Sequence, residues 1–262
     1  MIQVDRLSKT YDGGATWAVR QISFTLNEGE LLVLLGASGC GKTTTLKMIN
    51  RLIEPTAGHV FIDGQDATTV DPVTLRRRIG YVFQMIGLFP HMTVEENVAI
   101  VPRLLGWPAG RVEARVVELL DMVGLPPEQY RQRYPRQLSG GQRQRVGFAR
   151  ALAAGPRIML LDEPFGALDP ITRDTLQVEF KRIQAKLKLT AIMVTHDMTE
   201  ALLLADRIAV MDQGQIVCID TPQQLMAETR NGMVATLLAS PRRQMAQLEA
   251  IAEGRAPAEA TA

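Results

Sequence analysis

Residues 36–43, Gly-Ala-Ser-Gly-Cys-Gly-Lys-Thr, lie between an apolar run and a segment with helical composition. They fit the pattern Gly-x-x-x-x-Gly-Lys-[Ser/Thr], a loop that cradles nucleotide phosphates. The run at residues 30–35, Glu-Leu-Leu-Val-Leu-Leu, is almost entirely apolar, as a buried parallel strand is. Residues 43–52 are predicted to form a helix that ends before Pro55. Strand, loop and helix in this order predict an α/β nucleotide-binding core.

Each part of this loop has a predicted role. Gly36, Gly39 and Gly41 carry no Cβ, so backbone amides can converge on the phosphates. The Lys42 ammonium is expected to reach the β- and γ-phosphates, and the Thr43 hydroxyl to ligate Mg²⁺. The predicted nucleotide-binding set is the whole loop with the next threonine: Gly36, Ala37, Ser38, Gly39, Cys40, Gly41, Lys42, Thr43 and Thr44.

A second phosphate-receiving element lies at residues 138–142, Leu-Ser-Gly-Gly-Gln. Ser139 is a good helix N-cap, and Gly140 and Gly141 leave the first helical amides open to an anion. An ordinary capped helix is the alternative interpretation. Two such elements are one more than a single nucleotide needs. We therefore expect two copies of the chain each to lend one element to a shared ATP.

Two carboxylates follow the buried strand predicted at residues 158–161. Asp162 ends this strand, where a site beside the phosphate loop needs a ligand for Mg²⁺. Glu163 comes one residue later and is predicted to polarise the attacking water as a general base. A pair of surface acids after a core strand is the alternative.

Three further residues are weak signals when each is considered alone. Gln84 follows the strand predicted at residues 79–83, and His196 follows the one predicted at residues 191–194. A lone histidine is more often structural than catalytic. Tyr11 either stacks on adenine or packs at the end of a strand.

Strand and helix signals alternate in two parts of the chain, separated by a helical stretch. Ile22, Phe24 and Leu26 alternate with polar residues and predict a half-buried strand. Strand signals stop between residues 86 and 156, where an inserted group of helices is predicted. The alternation predicts a mostly parallel sheet with both faces covered. The remaining predictions are strands at 60–63 and 208–211, and helices at 94–105, 111–123, 140–154, 172–187 and 199–205.

Bulk composition narrows the class of protein. The 262 residues, 46% hydrophobic and 22% charged, fit one large globular domain or a core with an insertion. A net charge of +1 argues against a nucleic-acid binder. Two cysteines favour a reduced, cytoplasmic protein without a metal motif or disulfide framework. We expect no signal peptide. No apolar run approaches the roughly 20 residues of a membrane span, so we expect another chain to cross any membrane that is involved.

In this order, the motifs resemble those of the ATP-binding subunit of an ABC transporter, across nearly all of residues 1–230. The resemblance places Tyr11 at the adenine-stacking position, Gln84 in the glutamine loop, residues 138–142 at the signature, residues 167–169 at the D-loop and His196 at the switch histidine. It implies an α/β fold: a RecA-like P-loop NTPase core with an N-terminal antiparallel β region and an inserted α-helical subdomain. The implied divisions are residues 1–85 with 157–230 for the core, 86–156 for the helical signature subdomain, and 231–262 for a C-terminal helix and disordered tail.

The same resemblance implies an ATPase that uses Mg²⁺. The implied catalytic residues are Glu163, His196 and Gln84, and the implied metal ligands are Thr43, Gln84 and Asp162. Two ATP molecules would lie in a head-to-tail homodimer, each between a phosphate loop and the opposing signature, Ser139, Gly140, Gly141 and Gln142. Implied partners are integral-membrane permease subunits and, through them, an extracytoplasmic solute-binding protein. Nucleic acid is not among them. The expected location is peripheral, at the cytoplasmic face of the cell (inner) membrane.

Three blocks, residues 48–58, 86–107 and 163–173, resemble importers of quaternary-amine osmoprotectants such as glycine betaine, choline or carnitine. Importers of other small solutes, such as amino acids, share parts of these blocks and are the alternative. A soluble, non-transport ABC ATPase is less favoured, because no basic arm or coiled-coil insertion is evident. Many relatives carry paired CBS modules after the core, and the residues after position 230 are too few for such a pair.

The segment at residues 86–92 holds Ile86, Leu88, Phe89 and Met92. It is expected to form either a groove for a coupling helix of the membrane subunit or the small core of the helical insertion. The sequence leaves both interpretations open.

Overall fold

The structure is a computed structural model that describes residues 2–227 and 232–252. An antiparallel sheet of four strands contains β1 (Ile2–Thr10), β2 (Trp17–Leu26), β4 (Ala57–Ile62) and β5 (Gln65–Asp66), in the order β2-β1-β4-β5. In β2, Ile22, Phe24 and Leu26 are buried and the residues between them are exposed, which confirms the predicted half-buried strand. The tail predicted to be disordered, residues 253–262, lies outside the described residues.

A second sheet of six strands carries the carboxyl ends at which the predicted site residues lie. Its order is β10-β9-β3-β8-β7-β6, and every pairing is parallel except that of β10 with β9. The strands are β3 (Leu31–Leu35), β6 (Ile79–Val82), β7 (Ile158–Asp162), β8 (Thr190–Thr195), β9 (Arg207–Asp212) and β10 (Gln215–Asp220).

Helices cover this sheet and form the predicted insertion between β6 and β7. They are α1 (Lys42–Ile49), α2 (Pro72–Arg77), α3 (Val94–Leu104), α4 (Ala109–Met122), α5 (Pro127–Tyr130), α6 (Gly140–Leu152), α7 (Pro170–Leu187), α8 (Met198–Leu204), α9 (Pro222–Ala227) and α10 (Gly232–Ala252). Within the described residues, no helix combines the length and apolar character needed to cross a membrane.

The strand β3 divides the hydrophobic core in two. Leu31, Val33 and Leu35 pack in a cluster with the insertion helices and α7, whereas Leu32 and Leu34 pack with α1 and the antiparallel sheet. Since successive side chains of a strand point to opposite faces, a strand covered on both sides must be apolar at every position. This explains the uninterrupted run that leads into the phosphate loop.

Some predicted boundaries were wrong. The helix predicted at residues 43–52 ends at Ile49, because Arg51 has a left-handed backbone (φ 49°) and the Leu52 amide donates to the Lys47 carbonyl at 2.8 Å. Such a left-handed residue closes the last helical turn. The strand predicted at residues 60–63 starts at Ala57 and ends at Ile62, since Asp63 (φ 50°) begins a turn. The strand predicted at 79–83 stops at Val82.

Helix α2 was missed by the sequence analysis although its start carries a signal. Asp71 caps the helix by accepting a hydrogen bond from the Thr74 amide at 2.8 Å, and Pro72 occupies the first helical position. Asp followed by Pro is a recognised helix start. Strands β1 and β10 and helix α9 were not predicted individually either.

Candidate functional site

The phosphate loop connects the carboxyl end of β3 to the amino end of α1. Gly41 is the N-cap of α1 with a left-handed backbone (φ 105°), and a Cβ there would collide with the carbonyl oxygen of Ala18 in β2. Glycine is therefore required at this position by conformation and by close approach. Ala37, Ser38 and Gly39 form the exposed tip of the loop, and Thr43 and Thr44 are half-buried.

Lys42 is buried inside the loop, with 5% of its surface exposed. Its Nζ donates to the Gly36 carbonyl at 2.7 Å and to the Ala37 carbonyl at 2.8 Å, and it lies 3.8 Å from the Cys40 Sγ. The loop thus holds the Lys42 ammonium by its own carbonyl groups.

Thr43 and Asp162, the two residues predicted to ligate Mg²⁺, are in contact beside the loop. The Thr43 hydroxyl donates to Asp162 Oδ1 at 2.8 Å. Asp162 is the last residue of β7 and is buried. Burial raises the pKa of its carboxyl, while the hydrogen bond from Thr43 and the charge of Lys47 act in the opposite direction. A bound cation would compensate this buried carboxylate, so the two oxygen donors fit Mg²⁺.

Glu163 lies between the two other residues predicted to be catalytic. The Gln84 amide nitrogen donates to Glu163 Oε2 at 3.0 Å, and His196 Nδ1 lies 3.3 Å from Glu163 Oε1. These residues follow β6, β7 and β8, which are parallel neighbours in the sheet, so their carboxyl ends share one edge. The Glu163 backbone is left-handed (φ 44°), and its amide donates to the Val194 carbonyl at 3.0 Å. A strained backbone that is held in this way is a common feature of functional sites.

Asp197 is a site residue that the sequence analysis missed. It caps α8 by accepting hydrogen bonds from the amides of Thr199 (2.9 Å) and Glu200 (3.1 Å). This cap, one residue after His196, fixes the start of the helix. Asp at the start of an apolar helical segment is the signal that could have identified it.

The signature residues form a capping box at the start of α6. Ser139 Oγ accepts from the Gln142 amide at 3.2 Å, and Gln142 Oε1 accepts from the Ser139 amide at 3.0 Å. Gly140 and Gly141 occupy the first two helical positions, and a Cβ on Gly141 would collide with Thr172 of α7. Within the described part of the chain, no hydrogen bond joins residues 138–142 to the phosphate loop.

Tyr11 and the segment after Gln84 complete the set of predicted positions. Tyr11 is 68% exposed, so it is not packed at the strand end, and Lys9 Nζ lies 5.2 Å from the centroid of its ring. After Gln84, Leu88 packs against the core of the insertion, whereas Met85 (87% exposed) and Phe89 (39%) face solvent. The segment therefore contributes both to the core and to an apolar surface.

The profile of the family described as ABC transporter matches residues 19–166, more than half of the chain. The chain belongs to the ABC transporter family. It is 52% identical to the glycine betaine/carnitine/choline transport ATP-binding protein OpuCA of Bacillus subtilis over 92% of this chain and 63% of OpuCA. It is also 51% identical to the osmoprotectant import ATP-binding protein OsmV of Salmonella typhimurium, over 92% of this chain and 64% of OsmV. The chain thus spans less than two thirds of the length of these relatives.

The fold agrees with a solved ABC transporter cassette. A dimeric structure of a post-hydrolysis state of the ATP-binding cassette MJ0796, bound to ADP and Pi, matches with a TM-score of 0.76 and 34% identity. The match covers 85% of this chain and 99% of that chain. The predicted fold class, a RecA-like core with an antiparallel β region and a helical insertion, is confirmed.

The two cysteines allow a chemical test of the phosphate loop. Cys40 lies within the loop and is 5% exposed, whereas Cys218 is half-buried on β10. In a Cys218→Ser variant, we expect a maleimide to label Cys40 slowly and to block ATP hydrolysis, because the adduct is too large for the loop. MgATP should slow this labelling but leave labelling of Cys218 in a Cys40→Ser variant unchanged. Equal Cys40 labelling rates with and without MgATP, measured by mass spectrometry, would contradict nucleotide binding at the loop.

Proposed function

We propose that this chain is the ATP-hydrolysing, energy-coupling subunit of an ABC importer for quaternary-amine osmoprotectants such as glycine betaine, choline or carnitine. The observation that carries the hydrolytic part is the position of the Glu163 carboxylate, which accepts a hydrogen bond from Gln84 and lies next to His196. Glu163 directly follows Asp162, which is bonded to Thr43. The support for the transport part is the similarity to OpuCA and OsmV.

Binding of ATP is assigned to the loop at residues 36–43, whose amides and Lys42 ammonium would hold the phosphates, with Tyr11 available to stack on adenine. Thr43 and Asp162 would hold Mg²⁺, together with the Gln84 carbonyl oxygen, since Gln84 uses its amide nitrogen toward Glu163. A Mg²⁺ ion held by these residues would neutralise charge on the β- and γ-phosphates.

Hydrolysis is assigned to Glu163 as general base. Its carboxylate would accept the proton of the attacking water while Gln84 and His196 hold its two oxygens in place. His196 is more exposed than Glu163, with 60% against 20% of the side chain accessible, so it lies on the open side of the carboxylate. A general base must be oriented within hydrogen-bond reach of its water, and these two neighbours supply that orientation.

A homodimer accounts for the separation of signature and phosphate loop within one chain. The amino end of α6 presents Gly140 and Gly141 behind the Ser139 cap, a geometry suited to an anion. A second copy would bring this end to the γ-phosphate of the first. The MJ0796 cassette, which is dimeric with ADP and Pi, supports this arrangement. Residues 138–142 of each copy would then complete the partner's site.

Membrane permease subunits are the proposed partners, with a solute-binding protein engaged through them. The exposed apolar side chains of Phe83, Met85 and Phe89 beside Gln84 offer a surface for such a subunit. The chain would thus act peripherally at the cytoplasmic face of the membrane. We propose no contact with nucleic acid, because the net charge is only +1.

Uptake measurements test the transport part of this proposal. Deleting the gene for this chain should reduce uptake of at least one of radiolabelled glycine betaine, choline or carnitine, because the permease would lose its source of free energy. Uptake of an unrelated amino acid in the same cells is the control. Unchanged uptake of all three amines in a host without other osmoprotectant importers would favour another importer branch.

A further inference from the structure

Arg150 is a buried cation that the proposed hydrolytic mechanism does not use. It lies near the carboxyl end of α6 and is 9% exposed. Its Nη1 donates to the Gly87 carbonyl at 2.6 Å and its Nη2 to the Ile86 carbonyl at 2.7 Å. Burial lowers the pKa of the guanidinium. Among the described residues, no carboxylate forms a salt bridge with it, so these two carbonyls are its main compensation.

The two carbonyls belong to a sharply turned segment. Ile86 and Gly87 both have positive φ angles, 20° and 62°. This turn directs successive carbonyl oxygens toward one planar guanidinium, which binds two acceptors at fixed spacing. Gly147, one helical turn before Arg150, allows close packing, since a Cβ there would lie 3.1 Å from Ile86 Cγ2. Residues 86–87 are therefore clamped to α6 by hydrogen bonds and by packing.

The two residues that Arg150 holds, Ile86 and Gly87, follow closely after Gln84 in the chain. Strand β6 ends at Val82, and the Phe89 backbone is held separately, because its amide donates to Asn97 Oδ1 at 2.8 Å. Between these two anchors, Arg150 holds the segment that carries Gln84. The reach of Gln84 Nε2 to Glu163 Oε2 therefore depends on where Arg150 holds Ile86 and Gly87.

We propose that Arg150 is a positioning residue for hydrolysis, which places Gln84 against Glu163 by holding the carbonyls of Ile86 and Gly87. This inference rests on the proposed function and deepens it. Arg150 lies on the same helix that begins with the signature, so a displacement of the signature end of α6 reaches Gln84 through one rigid element.

The first test is Arg150→Lys in the full chain, assayed with its permease where the isolated subunit is inactive. Lysine keeps the charge but lacks the planar guanidinium that donates to both carbonyls at once. We expect kcat for ATP to fall roughly tenfold, as for the loss of one charge-assisted hydrogen bond, and KM to change less than kcat, because the phosphate loop, Thr43 and Asp162 still bind MgATP. The matched control is Arg115→Lys. Arg115 likewise donates to two carbonyls, those of Leu152 (2.9 Å) and Ala153 (3.3 Å), but holds the end of α6 instead of the Gln84 segment.

A double-mutant cycle with Gln84→Ala separates positioning from stability. If Arg150 acts through Gln84, the double variant should have the kcat of Gln84→Ala alone. The inference would be overturned if the kcat loss of the double variant were the product of the two single losses. It would also be overturned by a kcat for Arg150→Lys within twofold of that for Arg115→Lys. Should Arg150→Lys fail to fold, Gly147→Ala displaces Ile86 while keeping the cation, and its kcat loss must likewise vanish in the Gln84→Ala background. An inactive wild-type complex, or wild-type turnover by Glu163→Gln, would instead refute the proposed function.

Discussion

Lys42→Ala is expected to abolish ATP hydrolysis, with a loss of roughly 10²-fold or more in kcat, and to weaken nucleotide binding. The Lys42 ammonium lies within the phosphate loop, where it donates to the carbonyls of Gly36 and Ala37. It is the cation that the motif is expected to supply to the β- and γ-phosphates, and alanine removes this charge together with its two contacts to the loop carbonyls. Phosphate release and binding of a fluorescent ATP analogue would measure the two effects.

Lys181→Ala is a matched control for this experiment. Lys181 also donates to a backbone carbonyl, that of Leu204 at 2.8 Å, but it lies on α7 next to Asp206. We expect this variant to hydrolyse ATP at the wild-type rate, since it loses a surface contact of little energy. Normal turnover by Lys42→Ala, with the same ATP affinity as Lys181→Ala, would refute the assignment of the phosphate loop.

The local elements of the site could be predicted from the sequence because each has a local cause. An apolar run at residues 31–35 demands a strand covered on both faces, and the glycines that follow allow the turn into α1. Ser139 and Gln142 form the capping box that their spacing favours. These patterns depend on neighbours within a few residues.

The assembly of the site could not be derived from the residues alone, because it depends on contacts between distant parts of the chain. Gln84 and Glu163 are joined across 79 residues, through a strand order that no local pattern encodes. In the sequence, Arg150 is an ordinary polar residue of a helix. Its hydrogen bond to the carbonyl of Gly87, 63 residues earlier, is visible only in the structure. The end of α1 at Ile49 was missed for a different reason: the left-handed residue that closes it is Arg51, without the glycine that usually signals such an end.

Glu163→Gln is expected to slow ATP hydrolysis by roughly 10²-fold or more. Glutamine keeps the size of the side chain, and its oxygen can still accept the hydrogen bond from Gln84, so the site should keep its shape. It cannot accept the proton of the attacking water. Glu30→Gln is the control: Glu30 is a carboxylate with even less exposure than Glu163, but it precedes the amino end of β3, at the opposite edge of the sheet. The Glu30→Gln variant should keep the wild-type kcat per folded molecule.

Glu163→Gln also tests the proposed dimer, because this variant should bind ATP but hydrolyse it slowly. ATP would still fill the phosphate loop, and residues 138–142 of the second copy would still close over its γ-phosphate. The Glu163→Gln dimer should therefore accumulate with ATP and be absent with ADP, which lacks the phosphate that bridges the two halves. Size-exclusion chromatography with light scattering would measure this for the isolated subunit, and crosslinking would measure it in the complex with the permease. Wild-type hydrolysis by Glu163→Gln, with no ATP-dependent dimer in either setting, would refute both the general base and the shared ATP site.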